Sequence, residues 1–123
     1  MADLGTVTVT EETFGTVKKI AYSWLSDGDG KATKTTTNVY SGEIIRLVTV
    51  PDGTAAPDDN YTVLVNDEDT TDVLMGAAVG NRDTANTEQV LASSLGCVAN
   101  DKLSLSITGA GAANKGKVYL YIR

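Results

Sequence analysis

The feature that most limits what this chain can become is a strict two-residue alternation recurring in four separate segments. Thr6-Val7-Thr8-Val9-Thr10 places two valines on one side and three threonines on the other. Ile20, Tyr22 and Trp24 alternate with Ala21, Ser23 and Leu25, a strand that carries the main aromatic mass of the expected core. Leu103, Leu105 and Ile107 alternate with Ser104 and Ser106, and Val118, Leu120 and Ile122 alternate with Tyr119 and Tyr121. Successive side chains of a β-strand point to opposite faces, so a period of two reads as half-buried strands and not as helix.

The intervening stretches fill in the same architecture. Ser26-Asp27-Gly28-Asp29-Gly30 contains two Asp-Gly steps, which predict the positive φ angles of a hairpin connection. Residues 31–40 read as a polar, threonine-rich strand near a sheet edge or with one wet face. Ile44-Ile45-Arg46-Leu47-Val48-Thr49-Val50 is more continuously apolar, as in a strand covered on both sides, and Pro51 closes it. A loop is expected over 53–60, a strand at Tyr61-Thr62-Val63-Leu64-Val65, and an acidic turn over 66–71 ahead of Val73-Leu74-Met75. One helix is predicted, over 84–95, with Thr84 or Thr87 as cap and Val90, Leu91 and Leu95 as a partial apolar stripe. The glycine-rich run 109–116 is expected to join the last two strands as a terminal hairpin. Short strands, frequent turn signals and no βαβ rhythm predict an all-β fold. The expected form is a single-domain antiparallel β-sandwich or jelly-roll-like barrel, 1–123, of about seven or eight short strands with at most one short helix.

Length and charge narrow the function classes. A chain of 123 residues buries roughly 65% of the surface its unfolded form exposes, so no disulfide staple is required. The single cysteine, Cys97, lies among Leu95, Gly96 and Val98 and is expected as a small buried apolar residue. The start Met-Ala-Asp-Leu-Gly lacks the basic and apolar regions of a secretory signal, which predicts a product of the cytoplasm. No apolar run approaches the roughly 20 residues of a membrane-spanning helix. Residues 52–72 carry seven acids and no base, whereas the remaining chain has nine acids and ten bases, so that stretch holds all of the net charge of −6. It is expected to face water, a cation or a basic partner. Beyond Lys18-Lys19 there is no basic cluster, and nucleic acid is not an expected partner.

The absence of histidine removes the commonest general base and the commonest transition-metal ligand. A carboxylate pair of the glycosidase kind needs two acids about 5 to 9 Å apart; here the acids cluster in turns, and no catalytic residue is assigned. Asp27-Gly28-Asp29-Gly30 superficially matches the start of a calcium loop, but Lys31, Ala32 and Asn38 stand where a ligand, a glycine and a closing glutamate are required, so a plain turn is expected. The set Asn66, Asp67, Glu68, Asp69 and Asp72 is richer in hard oxygens, although acidic turns are ordinarily just solvated. No metal site and no cofactor is predicted. Asn60-Tyr61-Thr62 fits the N-glycosylation pattern as a chance match, and Lys18-Lys19 reads as an exposed strand start. Trp24, Tyr22, Tyr40 and Tyr61 would form a carbohydrate platform only if several faced outward. Tyr119 and Tyr121 are the better candidates for an exposed aromatic face, because Val118, Leu120 and Ile122 fill the opposite one.

Taken with the Met-Ala-Asp start and the Thr/Val alternation, the segments Leu91-Ala-Ser-Ser-Leu-Gly-Cys-Val-Ala-Asn-Asp-Lys-Leu-Ser-Leu and Gly-Ala-Gly-Ala-Ala-Asn-Lys-Gly-Lys-Val-Tyr-Leu-Tyr-Ile-Arg give the chain a likeness. It resembles small virion structural proteins of tailed bacteriophages, capsid decoration or cement proteins being the nearest kind. The likeness covers mainly residues 60–123, is one of style, and transfers no site residue. It implies a β-rich protein that docks on the outside of a capsid, often as trimers at local three-fold positions, and strengthens the expanded shell. The expected partner is then the major capsid protein or another virion subunit, with a homo-oligomer, trimer favoured, made in the host cytoplasm and resident in the virion. Residues 1–12, and above all 4–12, are a candidate assembly arm that adds to a neighbour's sheet; the rival is that they complete the domain's own sheet. The alternatives are a ligand-binding β-sandwich such as a carbohydrate-binding module, or a tail- or fibre-associated component.

Overall fold

The computed structural model describes residues 5–123. Among the described residues nine strands, all paired antiparallel, form two sheets: β1 (Thr6–Phe14), β2 (Val17–Leu25), β3 (Ala32–Thr35), β4 (Tyr40–Pro51), β5 (Thr62–Asn66), β6 (Glu88–Leu91), β7 (Cys97–Asp101), β8 (Ser104–Thr108) and β9 (Lys115–Ile122). The large sheet runs β1-β2-β9-β4-β6, and β7 continues along the same strand β4; the small sheet runs β3-β8-β5. The fold is therefore all-β, as the alternation predicts, with one strand more than expected.

Each alternating segment buries the side the pattern marks. Ile20, Tyr22, Leu47, Val118 and Leu120 from the large sheet meet Val63, Val65, Leu105 and Ile107 from the small one in a single core. Trp24 reaches across to Tyr61, ring centroids 5.6 Å apart and tilted by 54°. Gly116 makes room for that indole, since a Cβ there would lie 2.6 Å from Trp24 Cζ2.

Two expected hairpins are absent, and the correction shapes the molecule. β2 lies in the large sheet and β3 in the small one, so 26–31 is a corner between sheets; β8 and β9 are likewise split, so the expected terminal hairpin is a second corner. Hydrogen bonds fasten the two corners to each other. The Ser26 N–H donates to the Asn114 carbonyl at 2.8 Å, the Asn114 N–H donates to Ser26 Oγ at 2.9 Å, and the Ala110 N–H donates to the Gly30 carbonyl at 3.2 Å. Only Gly30 of the two Asp-Gly glycines has positive φ, at 76°; a Cβ there would also sit 2.7 Å from the Gly111 nitrogen.

The predicted helix over 84–95 is also overturned. Asp83 Oδ2 accepts the N–H groups of Ala85 and Asn86 at 2.9 and 2.6 Å, which folds the chain into a turn. The Thr84 hydroxyl donates to the Pro57 carbonyl instead of capping a helix. Residues 88–91 then find their backbone partners on β4, with Arg46 opposite Leu91 and Thr49 opposite Glu88. Among the described residues only a 3-10 turn at Ala92–Ser94 is helical. The threonine-rich strand expected over 31–40 ends at Thr35, and Tyr40 opens β4.

Candidate functional site

Antiparallel register sets the outward face of the large sheet, because directly opposed residues share a face. One row across it reads Glu12, Lys19, Tyr121, Arg46, Leu91; the next reads Thr10, Ala21, Tyr119, Val48, Gln89; a third reads Thr8, Ser23, Lys117, Val50. Lys19 Nζ lies 4.9 Å from the Tyr119 ring centre and 5.9 Å from that of Tyr121. Arg46 Cζ lies 5.3 Å from the Tyr121 ring centre, and Arg46 Nε donates to Gln89 Oε1 at 2.8 Å. The ring quadrupoles attract both cations and hold them flat against the sheet. Small Ala21 and Ser23, flanked by Thr8, Thr10, Lys117 and Tyr119, leave a depression of about 210 Å³ in this face. Leu91, 75% exposed, stands at the end of the first row. The outward face of the small sheet differs in kind: Thr33 faces Ser106, which faces Leu64, and Thr35 faces Ser104, which faces Asn66.

Tyr119 and Tyr121 thus sit on an outward aromatic face, as the alternation predicts. Trp24, Tyr22, Tyr40 and Tyr61 are all buried and form no platform. Lys19 is not a bare strand start but belongs to the ladder of cations and rings, while Lys18 Nζ donates to the Ser41 carbonyl at 3.0 Å. The alternation does not single out Arg46 or Lys117 for this face, although Lys117 stands two residues before Tyr119 and shares its face for that reason; Leu91, expected in the inward stripe of a helix, is exposed on β6. Cys97 is exposed, which corrects the expected burial: on β7 it is Val98 that turns inward, so its neighbour turns out.

Of the candidate arm, residues 1–4 lie outside the described residues. From Thr6 onward the segment is β1, paired with β2 along its whole length from Thr6 opposite Leu25 to Phe14 opposite Val17, and so completes the domain's own sheet. Val7 and Val9 pack against the core. Glu11 ties β1 to the bend before β4: its carboxylate accepts the Thr37 and Asn38 N–H groups, each at 3.0 Å, and the Tyr40 hydroxyl at 2.7 Å. Burial acts to raise the Glu11 pKa, but these three donors outweigh it and hold the carboxyl below its ordinary value. Burial, then the bond to Glu11, pushes the Tyr40 phenol up. β1 ends the strand order, so its second edge is unpaired among the described strands.

The acidic stretch is built into turns. Asp52 Oδ2 accepts from Thr54 and Ala55; Asp72 accepts from Val65, Leu74 and Gly76; Glu68 accepts from Lys102. Asp67 Oδ1 accepts from Asp69 and Thr71, as Asp27 Oδ1 does from Asp29 and Lys31. Among the described residues no group of three or more acid or cysteine side chains converges on a common metal position. Asp101 sits beside this region; desolvation, then the charges of Asp67, Glu68 and Asp69, raises its pKa. Asn60 of the glycosylation pattern is exposed at φ 62°, while Tyr61 beside it is buried.

Comparison with family models, with curated proteins and with solved structures finds no match to this chain.

Proposed function

We propose that this chain is a non-enzymatic structural protein of a tailed-phage particle, which binds the major capsid protein on the outer surface of the shell and stabilises it. It acts as a homo-oligomer, trimer favoured. One observation supports this reading above the rest: the large sheet presents an outward face with Tyr119, Tyr121 and Arg46 at its centre, Leu91 at one end and the unpaired edge of β1 at the other. Tyrosine and arginine are enriched where proteins meet proteins, and a broad sheet suits a macromolecular partner better than a small ligand.

The carbohydrate-binding reading draws on the same two tyrosines. Lys19 and Arg46 lie over the rings and occupy positions a stacked sugar would take, which places that reading second. A tail- or fibre-associated role differs from the first only in the subunit that is bound.

Co-sedimentation of the purified protein with empty expanded capsids of its phage, followed by heating of the decorated shells, tests the proposal. Saturable binding with a higher disruption temperature is the expected result. Capsids that pellet without it, alongside tails that bind it, would move the assignment to the tail. Retention on a glycan column in place of either would favour the carbohydrate module.

A further inference from the structure

We infer that the outer face of the large sheet is the docking site for the acidic loop 67–71 of a second copy of this chain. The inference deepens the homo-oligomer part of the proposed function and rests on it; the face then serves contact between copies, and the unpaired edge of β1 is left for the capsid.

Charge complementarity carries the argument. In a chain of net charge −6, the outer face gathers Lys19, Arg46 and Lys117 against Glu12 alone among its three rows. The loop offers the complement: Asp67, Glu68 and Asp69 in succession, the last two exposed. Exposed ion pairs are ordinarily weak, in part because two long side chains must be immobilised to form them. Here Lys19 and Arg46 are already held on the Tyr119 and Tyr121 rings, so little further ordering is needed when a carboxylate arrives. Beside them the depression of about 210 Å³ beneath Lys117 and Tyr119 accepts a projecting side chain. Desolvation first, and then the charges of Asp67, Glu68 and Asp69, raise the Asp101 pKa; the second of these is a like-charge repulsion around the loop that basic neighbours would relieve.

Topology then dictates the kind of assembly. The face belongs to the large sheet, whereas the loop follows β5 of the small sheet, so the patch and its complement are different surfaces. Unless two copies exchange loops reciprocally about a two-fold axis, such a contact is heterologous: copies add head to tail and close into a ring when the rotation permits.

Light scattering of the full chain in about 0.02 M and about 0.5 M salt, with Arg46→Glu, Asp69→Arg and the double variant, decides the matter. Wild type should form an oligomer at low salt that dissociates at high salt. Each single reversal should weaken association by about tenfold or more, and the double reversal should recover most of it. Circular dichroism verifies that each variant is folded, and Lys117→Glu replaces Arg46→Glu should that one unfold. A wild-type monomer at both salts overturns the inference together with the oligomer reading. An oligomer indifferent to reversal on either side overturns the inference alone.

Discussion

Two loops of this protein are hydrogen-bonded alike and filled differently. In 27–31 the Asp27 N–H donates to the Lys31 carbonyl at 2.8 Å, and the Gly30 N–H to the Asp27 carbonyl at 3.1 Å; in 67–71 the corresponding bonds, Asp67 to Thr71 and Thr70 to Asp67, are 3.0 and 3.1 Å. In both, the leading aspartate binds the N–H groups two and four residues on, and the fourth residue has positive φ, 76° at Gly30 and 62° at Thr70. The difference lies in their surroundings. Gly30 is pressed against Ala110 and Gly111 of the neighbouring corner, while Thr70 is exposed and tolerates a side chain. The same turn can therefore serve as a buried joint between sheets or as a projecting acidic tip.

The sharpest break of this comparison is Gly30→Ala. Left-handed strain and overpacking against the Gly111 nitrogen together should cost about 2–4 kcal/mol in urea denaturation. Thr70→Ala, at the same place in the other loop, should stay within about 0.5 kcal/mol, and Thr70→Gly should stabilise by about 0.5–1 kcal/mol. Equal effects at 30 and 70 would mean that the corner does not constrain its loop. Next in size are the anchors: Asp27→Ala should cost about 1 kcal/mol, as loss of a capping side chain does. Asp67→Ala should cost less, because removing its charge also relieves Asp101.

Smallest is a pH effect. Backbone N–H donors, those of Ala55 and Thr54 for Asp52 and those of Ala85 and Asn86 for Asp83, hold both carboxyls below their ordinary values. Such groups stabilise the fold above their unfolded pKa, and that contribution fades as pH falls through the folded one. Asp101 has the opposite sign. Its folded pKa is raised, so its ionisation opposes folding near neutrality, and acidification through the raised value lifts the opposition before the Asp52 and Asp83 contributions are lost. A urea midpoint measured from pH 7 downward should first rise slightly and then fall. Asp101→Asn should flatten the rise and keep the fall.

Much of the fold was readable one strand at a time. Val118, Leu120 and Ile122 turn inward and Tyr119 and Tyr121 outward, as their alternation requires, and Pro51 does end β4. The errors came where local pattern had to stand in for distant partners. Residues 84–95 carry a plausible cap and stripe, yet the Asp83 turn and the waiting edge of β4 draw them into a strand. The alternation placed the tyrosines of the outer face, but Lys19, Arg46 and Leu91 join them only through cross-strand register, which links residues far apart in the chain.

By itself, then, the sequence determined which side of each alternating strand is buried and that the chain turns at 26–30 and 66–71, because a period of two and an aspartate near its own backbone N–H groups act over a few residues. Only the tertiary structure decided that β2 and β3, and β8 and β9, part into different sheets. That choice rests on Ser26 meeting Asn114 and on Gly30 meeting Ala110, contacts between segments at least 80 positions apart. The same packing made one acidic turn part of the joint and left the other as a charged projection.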